Sequence, residues 1–202
     1  MSLLTERLPE SVESGGERYA VNPDFRLMVE LETTAEDGLA SDALEDILWK
    51  FYLQNPPSDP EAAVSGLLWF YRCGKEEAEE GRVSGRTRVY DFGQDEEALY
   101  TSFLQAYRID LSVDAVHWWA FRRLMFGLPA DTPFAQRLHY RTSDTSGMGK
   151  EQKKHYARMK KLYAIRQRAS GRETLAQRDA RMLAYVERRF SEVDGGQAGE
   201  KG

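Results

Sequence analysis

His117, His139, His155 and the lone Cys73 have the broadest chemical range in this chain of 202 residues. A metal site needs several such donors gathered with carboxylates or further thiolates. His139 and His155 are too far apart along the chain to form a local pair. His117 sits beside Trp118 in an apolar run, so all three read as surface or packing residues. No His or Asn signature surrounds Cys73 to mark an activated thiolate, so it reads as a small hydrophobe near a helix end. The run Gly81 to Gly85 lacks the Gly-Lys-Ser/Thr ending and the strand-to-helix setting of a phosphate loop. Glu76 to Glu80 lacks the interleaved oxygen ligands and the glycine of a calcium loop, and reads as solvated. No catalytic residue, cofactor motif or metal set is assigned, and the expected mode of action is binding, not catalysis.

Two groups of residues have the composition of a binding surface. Trp118, Phe121, Met125 and Phe134 are of the types that anchor interfaces, burying much area with few torsions. The same types at helical spacing also build cores, and that reading is favoured for most of them. Lys153, Lys154, Arg158, Lys160 and Lys161 lie on a strongly basic segment with Tyr156 and Tyr163. Cations neutralise phosphate and aromatic rings stack on unpaired bases, so this segment admits a nucleic-acid reading. The same tyrosines with Met159 and Leu162 also form an inward stripe, and packing beneath a solvated basic face is preferred.

The elements that must carry these groups are mostly helical. Ser11 to Ser14 and Glu17 to Val21 alternate in polarity around Gly15-Gly16, a dipeptide suited to a tight hairpin turn. Asn22-Pro23 supplies a cap and a first helical residue for a helix ending before Gly38. A second helix starts at Ser41, with Leu44, Ile47, Leu48, Phe51 and Tyr52 as its apolar stripe, and closes before Pro56-Pro57. Asp59-Pro60 opens a third, ended by Gly74. The stretch from Lys75 to Arg88 has almost nothing to bury and reads as an exposed loop. Helices follow from about Asp95 to Tyr107, from Val113 to Phe126, from Thr132-Pro133 through Tyr140, and from Lys150 to Gln167. The Val113 to Phe126 segment is apolar nearly all round, the pattern of a central core helix. A further helix is expected from Glu173 to Phe190, and a tail to Gly202. This predicts a mainly α, multi-helix single domain with a short N-terminal β-hairpin and a basic C-terminal helical extension. The expected divisions are a hairpin over 1–22, a helical domain over 23–168 with its loop at 75–88, and a variable extension over 169–202.

Charge is unevenly spread. Residues 1–100 carry 9 Lys/Arg against 22 Asp/Glu, net −13, and the rest carry 19 against 11, net +8. Opposite halves suit an acidic partner for the basic end, or self-association. The longest apolar run, Leu67 to Tyr71, is far below the roughly 18 residues of a membrane span, and Met1 to Glu10 lacks a signal-peptide pattern. One cysteine cannot close an internal disulfide and fits a reducing, cytoplasmic setting.

A set of short motifs resembles the bacteriophage gene-product-fifteen family. They are Tyr90-Asp-Phe92, Ala106-Tyr107-Arg-Ile-Asp110-Leu111, His117-Trp118-Trp119, Gly127-Leu-Pro129-Ala-Asp131-Thr132, Tyr140-Arg141-Thr142 and the run Lys150 to Lys161. Leu8-Pro and Asp24-Phe-Arg26 extend the resemblance toward the start, so that it covers roughly Leu3 to Ile165. The resemblance implies a phage or prophage protein encoded between the major tail protein and the tape-measure protein, the position of a tail assembly chaperone. The implied partners are the tape-measure protein and the tail tube protein, in the host cytoplasm. The family has no established catalytic or binding residues to carry over. A structural tail component and a nucleic-acid-binding protein are the alternatives.

Overall fold

A computed structural model describes residues 5–37, 41–75 and 88–166. The Glu76 to Glu80 and Gly81 to Gly85 segments, the Glu173 to Phe190 helix and the 169–202 extension expected from sequence lie outside these residues. Among the described residues the chain is mainly α, with seven helices and one two-stranded antiparallel hairpin. The described residues divide into two compact units, one of 5–75 with Val116–Trp119, the other of 88–115 with 120–166.

In the first unit, β1 (Ser11–Ser14) pairs with β2 (Glu17–Ala20), Ser11 opposite Ala20 and Ser14 opposite Glu17. The turn between them needs positive φ twice, and Gly15 and Gly16 supply +58° and +83°. Alternation along β1 turns Val12 and Ser14 inward and Glu13 to solvent. Three helices follow, α1 (Phe25–Asp37), α2 (Ser41–Phe51) and α3 (Pro60–Tyr71). The first begins two residues later than Asn22-Pro23 suggests. Asn22 Oδ1 accepts from the Asp24 amide and Asp24 Oδ1 from the Arg26 amide, so Asp24 takes the capping role. The stripe Leu44, Ile47, Leu48 and Phe51 of α2 is buried as its spacing predicts.

Helix α3 is the centre of this unit. Asp59 caps it, accepting from the Glu61 amide, and Pro60 occupies its first turn. Ala63, Val64, Gly66, Leu67, Leu68, Phe70 and Tyr71 are all buried. The hairpin lies so close to α3 that a Cβ at Gly66 would stand 2.6 Å from the Tyr52 hydroxyl and 3.3 Å from Val12 Cγ2. That hydroxyl donates to Ala63 O at 2.7 Å, and Ser14 Oγ donates to Ala62 O, so hairpin and helix share polar as well as apolar contacts.

The second unit contains α4 (Phe92–Tyr107), residues 120–126 of α5 (Trp118–Phe126), α6 (Pro133–Thr142) and α7 (Lys150–Leu162). Asp91 caps α4 by accepting from the Gln94 amide, and Arg108, at φ +60°, ends it. Phe103 stacks on Phe121 at 5.1 Å between centroids, and Phe92 tilts against the same ring. Ser102 joins α4 to α6: its Oγ donates to Ala98 O and accepts from the amide of fully buried Phe134.

The helix expected from Val113 begins only at Trp118. Asp110 ties residues 110–114 into a turn, its Oδ1 accepting from the Ser112 amide and its carbonyl from the Asp114 amide. Val116 O then accepts from the Phe25 amide and the Trp118 amide donates to Pro23 O, holding 116–118 extended beside 23–25. The expected all-round burial is corrected as well, because Val113 and Phe126 are exposed at 74% and 53%.

Candidate functional site

The four apolar candidates are in cores. Trp118, Phe121, Met125 and Phe134 are no more than 1% exposed, as the favoured packing reading expects. Trp118 and Trp119 also perform a polar task. The last carbonyls of a helix have no partner within it. Here Trp118 Nε1 donates to Tyr71 O and Trp119 Nε1 to Phe70 O, each at 2.8 Å, closing the buried end of α3. The Trp118 ring stacks on Tyr71, whose hydroxyl donates to buried Glu32. His117 completes the arrangement. Its Nδ1 accepts from the Trp119 amide, which leaves the ring proton on Nε2 to donate to Pro9 O at 2.9 Å. The three residues His117-Trp118-Trp119 thus join the N-terminal segment, α1 and the end of α3 inside the first unit. Cys73 is half-buried beyond that end, at φ +58°.

In the second unit the polar centre is Asp95, which sequence reading treated as a helix start. Its side chain is wholly buried on α4 and clamped by two guanidinium groups from α6. Arg137 Nη1 donates to Oδ1 at 3.0 Å, while Arg141 donates through Nη1 to Oδ2 at 2.5 Å and through Nη2 to Oδ1 at 2.9 Å. The Asp91 amide adds a further bond to Oδ2. Burial pushes the Asp95 carboxyl pKa up, but the bonds from Arg141 and Arg137 outweigh it and hold the group below the ordinary carboxylate value. The signal for this clamp is an acid on the inward face of α4, with Ala98, Leu99 and Ser102, matched by two arginines one turn apart on α6.

The clamp also carries α7. Arg141 Nε donates to Tyr163 O at 2.5 Å, and the Gln94 amide group both donates to Arg166 O and accepts from the Arg166 amide. Tyr140 of α6 stacks on Tyr163 and meets Tyr156 edge-on, and His139 contacts the Tyr156 hydroxyl at 3.0 Å. Tyr156, Met159 and Tyr163 form the expected inward stripe, but Leu162, placed in it by its spacing, is 66% exposed, and α7 buries no residue completely. The cations face outward. Lys153, Lys154, Arg158 and Lys161 are exposed, and half-buried Lys160 donates to Ser143 O at 2.6 Å. With Lys150 they occupy an arc of about 160° on a helix of 3.6 residues per turn.

Among the described residues no three His, Cys, Asp or Glu side chains are grouped to hold a metal ion, and no helix is long and apolar enough to cross a membrane. What the surface does offer is exposed apolar area in two places. Trp49 near the end of α2 and Leu53 just beyond it are exposed, as are Tyr100 and Leu104, one turn apart on α4.

No curated protein and no solved structure gives a significant match. A family model described as Bacteriophage Gp15 protein matches residues 4–165, from the segment before the hairpin through α7. The chain belongs to the Bacteriophage Gp15 protein family.

Proposed function

We propose that this phage protein acts by binding, without catalysis, as a tail assembly chaperone for the tape-measure protein in the host cytoplasm. Family membership supports a phage role, and the observation that carries the finer reading is the outer face of α4. Tyr100 and Leu104 are 36% and 40% exposed and one turn apart, with half-buried Tyr107 continuing their line. They flank the stripe of Ala98, Leu99, Ser102 and Phe103 that α4 buries. A helix that uses one face for its own core and leaves an apolar line on another can receive the apolar stripe of a second helix. A long helical tape-measure chain awaiting assembly presents such stripes.

The test is co-expression of the tape-measure protein with and without this chain, followed by co-purification. The expected result is a soluble complex that the Tyr100→Lys, Leu104→Lys double variant fails to form. Unchanged aggregation with no complex would overturn the proposal. Recovery of this chain from purified virions would make it a structural tail component instead.

A further inference from the structure

We propose that copies of this chain associate head to tail, the basic outer face of α7 on one copy docking against the acidic outer face of α2 on the next. The α7 face carries Lys150, Lys153, Lys154, Arg158 and Lys161, all exposed, on a helix with only Glu151 as an acid, and it ends in Leu162, which is 66% exposed. The α2 face carries exposed Glu45 and Asp46, followed by Trp49 and Leu53. Lys50 offsets part of this charge by reaching Asp46 at 2.6 Å and Glu30 at 2.8 Å, yet the cluster of Glu30, Glu45, Asp46 and Lys50 stays net negative.

Each face therefore combines charge of one sign with bare apolar side chains. In such an interface complementary charges set orientation and rate, and apolar contact supplies affinity. A second copy fits better than a nucleic acid. The tyrosine rings beside the basic face are engaged with one another and with His139 and His155, and are not laid open for base stacking. The chain as a whole is also net negative, at −5, which disfavours a polyanion. Because the two faces differ, the contact is heterologous and repeats until it closes into a ring or extends as a filament. The inference is independent of the tape-measure reading and stands or falls separately from it.

Sedimentation velocity of the full chain at roughly 50 mM and roughly 500 mM salt tests it, since screening over that range removes most attraction between exposed charges. The expected result is association at least about tenfold tighter at the lower salt. Two variants, Lys154→Glu/Arg158→Glu/Lys161→Glu and Glu45→Lys/Trp49→Lys, should each sediment as single copies. Mixed together they should associate again, because each keeps the face the other lacks. Association indifferent to salt, a wild-type chain that stays a single copy at low salt, or a mixture that fails to associate would overturn the inference. So would a single-copy wild-type chain that binds an oligonucleotide through α7.

Discussion

In the unit built around α3, backbone carbonyls at a helix end are taken out of water and answered by two indole N–H groups within an aromatic core, beside a buried Glu32 that accepts from the Tyr71 hydroxyl. In the unit built around α4, the central buried polar group is a charge, Asp95, answered by two guanidinium groups. The contrast separates two kinds of dependence on conditions. Neutral hydrogen bonds among packed rings do not titrate in the acid range. A buried carboxylate does, and its attraction to arginine is strong only while it is ionised. The indole bonds that close α3 should therefore be indifferent to acid, while the clamp on Asp95 depends on protonation.

The largest effects should come from removing either centre. Trp118→Ala deletes a fully buried indole and leaves Tyr71 O without that donor. A loss of about 3–5 kcal/mol is expected for the cavity, with about 1 kcal/mol more for the lost hydrogen bond to Tyr71 O. Asp95→Ala leaves Arg137 and Arg141 facing each other without their carboxylate, and breaking a buried pair in this way costs about 3–5 kcal/mol. Urea unfolding measures both losses. Hydrogen exchange resolved by peptide then tests the comparison: Trp118→Ala should first lower protection in α1 and α3, and Asp95→Ala in α4 and α6. Equal loss everywhere from either substitution would mean that the two units unfold as one and that the contrast has no energetic content.

Acid sharpens the comparison without a large structural change. The folded-state pKa of Asp95 lies below its ordinary value, so its contribution is complete above about pH 4, the unfolded value, and is lost as pH falls through the folded one. The stability difference between wild type and Asp95→Asn should hold steady from neutral pH to about 4 and shrink below it. Exchange in α4 and α6 should accelerate over that range before exchange in α3 does. A difference that stayed constant to pH 2 would show that the carboxylate charge is not what the arginines hold.

Local signals announced themselves in sequence, and long-range polar ones did not. Gly15-Gly16 and Asp59-Pro60 each act within a few residues and stand where their chemistry predicts, and Pro133 opens α6, although the Thr132 hydroxyl turns back to Pro129 O and does not cap it. The apolar spacing of α2 is equally local. His117-Trp118-Trp119 was legible as a family mark, but its task, closing the end of α3 and tying back to Pro9, depends on residues 47 to 108 positions away. The premature helix start at Val113 has the same origin. Apolar residues there satisfy the helical pattern, while the tertiary bonds to Pro23 and Phe25 hold the backbone extended. Asp95 was misjudged for a different reason: an acid near a helix start is ordinarily a cap, and Asp91, four residues earlier, already fills that role.

That pair of aspartates yields the smallest effect and the finest test of the contrast. Asp91 Oδ1 accepts from the Gln94 amide and Oδ2 from the Gln94 side chain, whose other bonds hold Arg166. Removing a side-chain cap costs about 1 kcal/mol, and Asp91→Ala also loses the pairing with Arg88 at 3.5 Å, so it should cost at least about that much in urea unfolding. The Asp91 amide, which supports Asp95, is backbone and survives the substitution. The clamp should then remain intact, and the acid-sensitive window assigned to Asp95 should be unchanged in Asp91→Ala. Exchange should quicken only in the first turn of α4 and around Arg166. If Asp91→Ala instead shifted the acid transition, the charge centre of the second unit would extend over both aspartates and not rest on Asp95 alone.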